Sequence, residues 1–352
     1  MPEPEAEDQV ALRARVDAAL QAFARQETDQ LIAIDAELLP VVEQLTVAVT
    51  GGKRLRAAFC YWGWRAAGQP DSDALVRAAA AMELVHAAAV VHDDLIDDSS
   101  MRHGVPSAHI ALRAAFTDRA RSSAGGRALA MMTGDLLMSW AGQLFTSCGL
   151  PAAYLARARG LWAVMARELI AGECLEILRT GALPDTGNSL QTIRYKTAKY
   201  TVEHPLHIGG ALAGAPDRLM KDFTAYGLPL GEAFQLRDDL LGLFGDPERT
   251  GKSNLDDITG NRPTALLAET WSAATTAERK ELRGLLGRPG LDSEGLLQVR
   301  AIVRRTGAPH RVEEMISQRV SAATATLTRA NLPAGATRAL SQLMTSATAR
   351  QS

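Results

Sequence analysis

Two apolar helical runs in this chain each end in a pair of aspartates. The acidic residues that follow the runs MELVHAAAVVH and AFQLR are Asp93, Asp94, Asp97, Asp98, Asp238 and Asp239. Carboxylates at positions i, i+1 and i+4 share one side of a helix. Each like-charge pair about 5 Å apart costs about 3 kcal/mol at an effective dielectric of about 20. A cation is therefore expected at both clusters, and oxygen ligands favour Mg²⁺, which combines a few carboxylates with water and phosphate oxygens.

The alternative is that these aspartates are solvated helix ends, since Asp is common at surfaces and at helix caps. This alternative stays open for the pair at 238 and 239. It explains the first cluster less well, because four carboxylates follow a run as apolar as AAAVV. Carboxylates at the end of a buried helix are costly to desolvate unless they bind something.

Helical periodicity extends along almost the whole chain, and alternating runs of strand-forming residues are missing. The predicted helices cover residues 8–35, 53–68, 72–97, 126–147, 152–179, 188–213, 217–243, 262–285, 292–304, 309–329 and 334–349. Gly and Pro mark the breaks, and no break has the length or composition of an interdomain linker. The sequence therefore predicts one all-α domain over residues 1–352, a helical bundle whose two Asp-Asp helices face each other across a deep central cavity.

Bulk composition excludes several classes of protein. A chain of 352 residues with 47% hydrophobic content can form a large core. Its net charge of −2 does not indicate a basic surface that binds nucleic acid. The first residues, MPEPEAEDQV, lack the features of a signal peptide, so a cytoplasmic location is expected. The stretch ALVRAAAAMELVHAAAVV contains Arg77, Glu83 and His86, which favours a buried helix over a membrane span. The three cysteines, predicted to be reduced core thiols, are Cys60, Cys148 and Cys174.

Basic residues add anion-binding capacity. The segment GGKRLR at 51–56 puts a glycine pair just before a probable helix start, and helix N-termini attract anions. Its alternative is a solvated basic turn. The other basic residues considered for the site are Arg102, Lys196, Lys199 and Lys252. Together with metal-binding aspartates, they suggest a site for two phosphate-bearing molecules, one bridged by metal and one held directly by cations.

These motifs resemble the trans-isoprenyl diphosphate synthases, or polyprenyl synthetases, from about Gly51 to Thr264, with geranylgeranyl diphosphate synthases as the nearest group. GGKRLR resembles the family's GGKxxR element, and DDLIDDSSMRHGVPSAH resembles its first aspartate-rich motif with the segment that follows. KTA at 196–198 matches its Lys-Thr element. FQLRDDLLGLFGD, followed by GK at 251–252, resembles its second aspartate-rich region.

The resemblance implies a role for each matching residue, and Mg²⁺ as the cofactor, with about three ions per active site. The implied metal ligands are Asp93, Asp94, Asp97, Asp238 and Asp239. The residues implied to hold the allylic diphosphate are Arg102, Lys196 and Lys252, with Gln235 and Thr197 nearby. The residues implied to bind isopentenyl diphosphate are Lys53, Arg56, His86 and His103. A helical His is more often a core or surface residue than a ligand, but His86 lies two turns before Asp93 on the same stripe.

Three positions depart from the family pattern. His103 stands where a second arginine is usual, which makes the isopentenyl site weaker or pH-dependent. Gly242 stands where a third aspartate is common and removes one potential ligand. Asn261 and Arg262 occupy the region of a usual lysine, and an arginine replaces its charge but not its geometry.

The implied reaction is Mg²⁺-dependent ionisation of an allylic diphosphate followed by attack of isopentenyl diphosphate, in a water-excluding helical bundle that forms a homodimer. Product length depends on the channel floor. Ala89 lies one turn before Asp93 on nearly the same face, whereas the family resemblance adds Ala88, so both are candidates and a C20 product, geranylgeranyl diphosphate, is predicted.

Four alternative functions share some of these sequence features. Within the fold these are a synthase of C15 or of C25–C30 products and a class I terpene cyclase. Retention of Lys53, Arg56 and His86 argues against the cyclase, whereas His103 leaves it open. A noncatalytic partner subunit would be expected to lack the Asp clusters. A metal phosphohydrolase based on His92 and Asp93 leaves the second cluster unexplained.

Overall fold

Helices form nearly all of the regular structure in the computed structural model, which describes residues 4–102, 104–246 and 254–348. The all-α prediction is confirmed. The chain divides into two units, one of residues 1–158 and 209–214 and the other of residues 159–208 and 215–352. The single-domain assignment over 1–352 stays a prediction.

The first unit contains a set of helices and one short hairpin. The helices are α1 (Pro4–Ile34), α2 (Leu39–Val49), α3 (Leu55–Ala66), α4 (Asp73–Ile96), α5 (Ala108–Ala111) and α6 (Arg119–Thr146), with short 3₁₀ turns at Ala36–Leu38 and Leu112–Ala115. The antiparallel hairpin pairs β1 (Met101–Arg102) with β2 (Val105–Pro106).

The remaining helices belong largely to the second unit. They are α7 (Ala152–Arg179), α8 (Thr186–Thr192), α9 (His204–Ala213), α10 (Asp217–Phe244), α11 (Asp256–Thr259), α12 (Ala265–Ala273), α13 (Thr276–Leu285), α14 (Ser293–Arg305), α15 (Ala308–Arg329) and α16 (Ala334–Thr348). Residues Ile193–Glu203, between α8 and α9, form a π-helix that is called the π segment below.

The helix α4 is central to the first unit, where it packs against α1, α2, α3 and α6. Its many alanines let neighbouring helices approach closely. At the contact with α6, a Cβ added to Gly134 would lie 2.2 Å from Nε2 of His92. By length and composition α4 is the one described helix that could span a membrane, but 72% of its apolar window is buried inside the protein. This burial agrees with the prediction of a core helix.

The helix α10 has the corresponding position in the second unit, where it packs against the π segment and α15. Its residues Leu236 and Leu240 join a buried apolar cluster with Leu266 of α12 and with Val299 and Ile302 of α14. Burial of such side chains stabilises the fold by about 1.5 to 3 kcal/mol each. Residues Gln235, Asp238 and Asp239 are thereby carried on a rigid helix.

Several predicted helix boundaries were wrong. The helix α6 begins seven residues before the predicted 126, where the Asp118 side chain accepts a hydrogen bond from Ala120 N. The predicted helix at 262–285 is two helices, because Thr275 and Glu278 form a capping box that starts α13. The helix α2 was missed, although Pro40 in its first turn is a common helix-start residue.

The cysteine prediction was right for two of three residues. Cys60 and Cys148 are buried free thiols, whereas Cys174 on α7 is exposed. The prediction for Cys174 was wrong because the number and spacing of cysteines do not give the direction of a side chain relative to neighbouring helices.

Candidate active site

An accessible stripe runs along α4, whose middle part is otherwise buried. The stripe consists of five half-buried residues, which are His86, Ala89, Val90, Asp93 and Asp97. The remaining residues from 78 to 91 are buried. Their spacing places them on one side of the helix. The predicted alignment of the His86 and Asp93 positions therefore corresponds to a shared accessible face.

The two alanine candidates for chain length differ in exposure. Ala88 is fully buried with 0% exposure, whereas Ala89 lies on the accessible stripe. A larger side chain at 88 would press into packed neighbours, and one at 89 would project along the open side of α4.

Arg102 contacts the first aspartate cluster. Its Nε donates to both carboxylate oxygens of Asp94, at 2.9 and 3.1 Å, and its Nη2 lies 3.1 Å from Asp93 Oδ2 and also contacts Asp94. Burial disfavours the charged guanidinium, but the neighbouring carboxylates outweigh it and raise the pKa of Arg102. A permanent cation therefore offsets part of the repulsion in the cluster.

The β1–β2 hairpin holds Arg102 in place. Arg102 pairs with Val105 in the hairpin, and Gly104 in the turn has a φ of +80°, which glycine adopts without strain. Ser107 closes the loop, since its Oγ donates to Ser99 O at 2.5 Å and its N donates to Ser100 O at 3.1 Å. The loop after α4 is thus anchored on both sides of the arginine.

The GGKRLR element lies at the start of α3. Lys53 is exposed, Arg56 is buried in the first turn, and Arg54 between them has a φ of +53° and donates from Nε to Asp17 at 2.7 Å. The buried Glu83 of α4 accepts a hydrogen bond from Ala57 N at 2.8 Å, so a side chain of α4 caps α3. Lys53, Arg56 and His86, the predicted isopentenyl site, therefore lie on or beside two helices that pack together.

The π segment carries the Lys-Thr element. Nζ of Lys196 lies 3.0 Å from Glu173 Oε2 and 2.9 Å from Glu176 Oε2, both on α7. The hydroxyl of Thr197 donates to Gln235 Oε1 at 2.9 Å. Neither carboxylate was singled out from the sequence, because lone glutamates in a helix carry no distinguishing pattern.

A hydrogen-bond chain connects the π segment to the second aspartate cluster. Gln235 Nε2 donates to Asp239 Oδ1 at 2.9 Å, and Ala265 N donates to Asp239 Oδ2 at 3.1 Å. Burial, together with the nearby carboxylates of Asp257 and Asp238, raises the pKa of Asp239 to about 8 against the effect of these hydrogen bonds. The structure thus connects three predicted residues by hydrogen bonds: Gln235 binds both Thr197 and Asp239.

Asp257 is a carboxylate that the sequence analysis missed. A Cβ added to Gly242 would lie 2.6 Å from Asp257 Oδ2, so the carboxylate of Asp257 occupies the space where a side chain at 242 would begin. Arg262 Nη1 lies 3.3 Å from Asp257 Oδ1. Gly242 and Arg262, two of the positions that depart from the family pattern, therefore both lie beside Asp257 of α11.

Two predicted residues cannot be placed. His103 and Lys252 lie outside the described residues, so their assigned roles stay predictions. Asp97 is described at the end of α4, where its N–H donates to Asp93 O at 2.9 Å.

The donor set of both clusters fits Mg²⁺. Among residues 4–102, 104–246 and 254–348, no three His, Cys, Asp or Glu side chains are gathered into a ready-made metal cage. Mg²⁺ does not need one, because it commonly takes one or two carboxylates and completes its octahedron with water and substrate phosphates. The buried carboxyl of Asp239, flanked by two more acidic groups, is a position that a bound cation would stabilise.

Comparison with known proteins decides between the possible phosphate chemistries. A family model described as Polyprenyl synthetase matches residues 40–303. The chain belongs to the polyprenyl synthetase family. Members of this family are prenyltransferases that use isopentenyl and allylic diphosphates with Mg²⁺, so this chain is a prenyltransferase of the trans-prenyl diphosphate synthase type.

Individual relatives make different products. A geranylgeranyl diphosphate synthase of Saccharolobus solfataricus is 30% identical over 258 residues, covering 72% of this chain and 73% of the relative. An octaprenyl diphosphate synthase of Escherichia coli is 30% identical over 233 residues, covering 66% of each. A geranylgeranyl pyrophosphate synthase from Corynebacterium glutamicum, complexed with isoprenyl diphosphate and magnesium, has a TM-score of 0.92 and 32% identity, covering 97% of this chain and 99% of that chain.

The predicted family, all-α fold and enzyme class of this polyprenyl synthetase are confirmed, and its structural neighbours are all-α isoprenoid synthases. Its product length is not given by family membership, because the products of its relatives range from C15 to C40.

Proposed function

We propose that this polyprenyl synthetase condenses isopentenyl diphosphate with allylic diphosphates to make geranylgeranyl diphosphate. The observation that carries the C20 assignment is the accessible stripe of α4, in which Ala89 presents only a methyl group one turn from Asp93. At that level α4 itself offers a growing prenyl chain that starts at the aspartates only the methyl group of Ala89. The geranylgeranyl synthases of Saccharolobus solfataricus and Corynebacterium glutamicum described above support the same length.

The proposed roles of the residues rest on the family resemblance and, where the structure describes a residue, on its contacts. Arg102, already held against Asp93 and Asp94, and Lys196 would bind the allylic diphosphate as permanent donors. Lys252 is proposed for the same diphosphate, with Gln235 and Thr197 fixing each other's orientation. The residues proposed for isopentenyl diphosphate are Lys53, Arg56, His86 and His103.

The aspartates Asp93, Asp94, Asp97, Asp238 and Asp239 are proposed to hold Mg²⁺, with about three ions per active site. Bound Mg²⁺ would supply positive charge that stabilises the departing diphosphate. The chain's own cations add to that stabilisation, and its apolar helix faces exclude water from the allylic cation. No protein nucleophile is needed, because the double bond of isopentenyl diphosphate forms the new bond and a proton is then lost.

The proposal includes a homodimer. Exposed apolar side chains occur on α6, at Met131 and Met132, and on α7, at Ile170, Ile177 and Leu178. Large exposed apolar residues on long helices are typical of surfaces that bind another protein, and a second copy is the simplest partner. Sedimentation at several concentrations tests this point.

Product analysis tests the C20 assignment. The enzyme is incubated with Mg²⁺, isopentenyl diphosphate and each of the C5, C10 and C15 primers, and C20 is expected as the main end product from all three. Accumulation of C15 alone, or of C25 and longer chains, would refute it. Release of a hydrocarbon from a long allylic diphosphate without isopentenyl diphosphate would favour the terpene cyclase.

Two substitutions test the aspartate roles. Asp93→Ala and Asp238→Ala are each expected to remove most turnover while the helical content is kept, because they delete metal ligands and relieve repulsion. Asp222→Ala, on the same helix as Asp238, is the control and should keep normal activity. Near-normal rates in either site variant, or full activity in excess chelator, would exclude the metal roles.

A further inference from the structure

The π segment is an uncommon structure that needs external support. It extends over 11 residues, Ile193–Glu203, whereas π geometry usually appears as single-turn bulges. It also carries Lys196 and Thr197, the residues proposed to act on the allylic diphosphate. The contacts that hold the π segment therefore control where these two side chains point.

Backbone contact fixes the distance of the π segment from its neighbours. A Cβ on Gly172 of α7 would lie 2.2 Å from Lys196 N, and a Cβ on Gly231 of α10 would lie 2.5 Å from Ala198 Cα. Real Cβ atoms do not approach backbone so closely, so only glycine fits at either position. The segment is held between two helices without intervening side chains, which fixes its separation but not its rotation.

An ionic cluster lies beside the Gly172 contact. The Glu168 cluster consists of Glu168 on α7, Lys199 and Glu203 on the π segment, and His204 at the start of α9. Lys199 Nζ lies 2.8 Å from Glu168 Oε2 and 3.7 Å from Glu203 Oε2, and His204 Nε2 lies 2.8 Å from Glu168 Oε2. Nothing in the proposed reaction uses these groups.

The Glu168 cluster is mostly buried and charged. The side chains of Glu203 and His204 are 6% and 4% exposed, and those of Glu168 and Lys199 are each 19% exposed. Burial would raise the pKa of Glu168, but hydrogen bonds from Lys199 and His204 outweigh it and keep the pKa below its ordinary value. Burying an ion pair such as Glu168 and Lys199 costs desolvation free energy, so the pair contributes little net stability. Its role is therefore to fix the geometry of the residues around it.

Two sets of ion pairs lie on either side of Gly172. Glu168 and Glu173 are five residues apart on α7, which separates their directions by about 140° around the helix axis. Lys196 pairs with Glu173 and Glu176, whereas Lys199 pairs with Glu168. Contacts on both sides of one close backbone approach oppose rotation of the π segment in either direction.

We infer that Glu168 is a positioning residue, which through Lys199 and His204 fixes the rotation of the π segment and thereby aims Lys196 and Thr197. The inference rests on the proposed function, because it assumes that Lys196 binds the allylic diphosphate. The inference gives Glu168 itself no contact with either substrate.

Steady-state kinetics of Glu168→Gln tests the inference. We expect KM for the allylic diphosphate to rise about tenfold, because small misplacements of binding groups weaken their contacts strongly. KM for isopentenyl diphosphate should stay within about twofold. Lys199→Met should reproduce the effect, and Lys199→Arg, which keeps the charge, should retain most of the normal affinity.

The matched control is Glu269→Gln. Glu269 is 15% exposed, lies 2.8 Å from Arg311 Nε and accepts from Thr186 Oγ1 at 2.9 Å, so it also binds two partners, neither of which belongs to the π segment. Both KM values should be unchanged in this variant, even where its thermal stability falls. Equal changes in Glu168→Gln and Glu269→Gln would overturn the inference, as would KM values for both substrates rising together with a loss of stability.

A double-mutant cycle with Lys196→Gln separates the inference from the proposed function. If Glu168 acts through Lys196, Glu168→Gln should have little further effect on the allylic KM once Lys196 has been replaced. Independent, additive effects would overturn the positioning role alone. An unchanged allylic KM in the single variant Lys196→Gln would instead refute the proposed role of Lys196.

Discussion

Replacing Ala89 with phenylalanine is expected to shorten the main product from C20 to C15. Ala89 lies four residues before Asp93, which is about 6 Å along the axis of α4. Helical side chains lean towards the N-terminus, so a phenyl ring extends roughly 5 Å further in that direction. With C–C bonds of about 1.5 Å, each isoprene unit of a prenyl chain is about 5 Å long. The ring therefore narrows the channel between about 6 and 11 Å from the level of Asp93, a depth that a chain longer than about two to three units has to pass.

The assay compares the products that the parent and the Ala89→Phe variant make from each primer. Consumption of the C5 and C10 primers should continue, because the metal ligands and basic residues are untouched. The C15 primer should become a poor substrate, and C15 should accumulate from shorter primers.

Ala88→Phe is the matched control, because the same side chain is added one residue away. Ala88 is 0% exposed, so overpacking should destabilise the fold by about 1 to 3 kcal/mol without a defined shift in product length. The reasoning is refuted if Ala89→Phe keeps the parent product distribution, or if Ala88→Phe shortens the product while Ala89→Phe mainly destabilises.

Three further predictions concern the second unit. Gly172→Ala should lower activity strongly, because its Cβ would lie 2.2 Å from Lys196 N, whereas Gly160→Ala on the same helix meets nothing within 4 Å and should leave kcat unchanged. Asp257→Asn should raise the Mg²⁺ concentration that gives the half-maximal rate severalfold, because it removes a carboxylate near the second cluster. An unchanged Mg²⁺ titration would contradict this. Burial lowers the pKa of His204 below its usual 6.5, so the unfolded state binds the additional proton and the free energy of unfolding should fall as pH drops below 6.5. Urea unfolding at pH 5 and 7.5 should show a smaller pH difference in His204→Asn, and an equal difference would remove His204 as the cause.

The parts of the site that follow helical periodicity could be predicted from the sequence. The alignment of His86, Ala89 and Asp93 depends only on 3.6 residues per turn, and the structure shows these residues on one accessible stripe. The same reasoning identified α4 and α10 within a few residues of their observed ends. Glycine and proline breaks located most of the remaining helices.

The parts that depend on tertiary contact could not be predicted. Asp257 meets Gly242 only because α11 folds back beside α10, and no local pattern links the two positions. The π segment has the composition of an ordinary helix, and its geometry depends on close contacts with Gly172 and Gly231. The mostly buried Glu168 cluster was missed for the same reason, since its residues come from separate helices.

The burial of α4 has a consequence for synthesis of the chain. This helix is apolar enough to resemble a membrane span until other helices cover it, and one of its principal partners, α6, ends 50 residues later in the chain, at Thr146. At ribosomal rates of about 5 to 20 residues per second, that interval lasts about 3 to 10 s. During this time the newly made α4 is a natural target for chaperones, and a nascent chain stalled before Arg119 should be far more prone to aggregate than one released after Thr146.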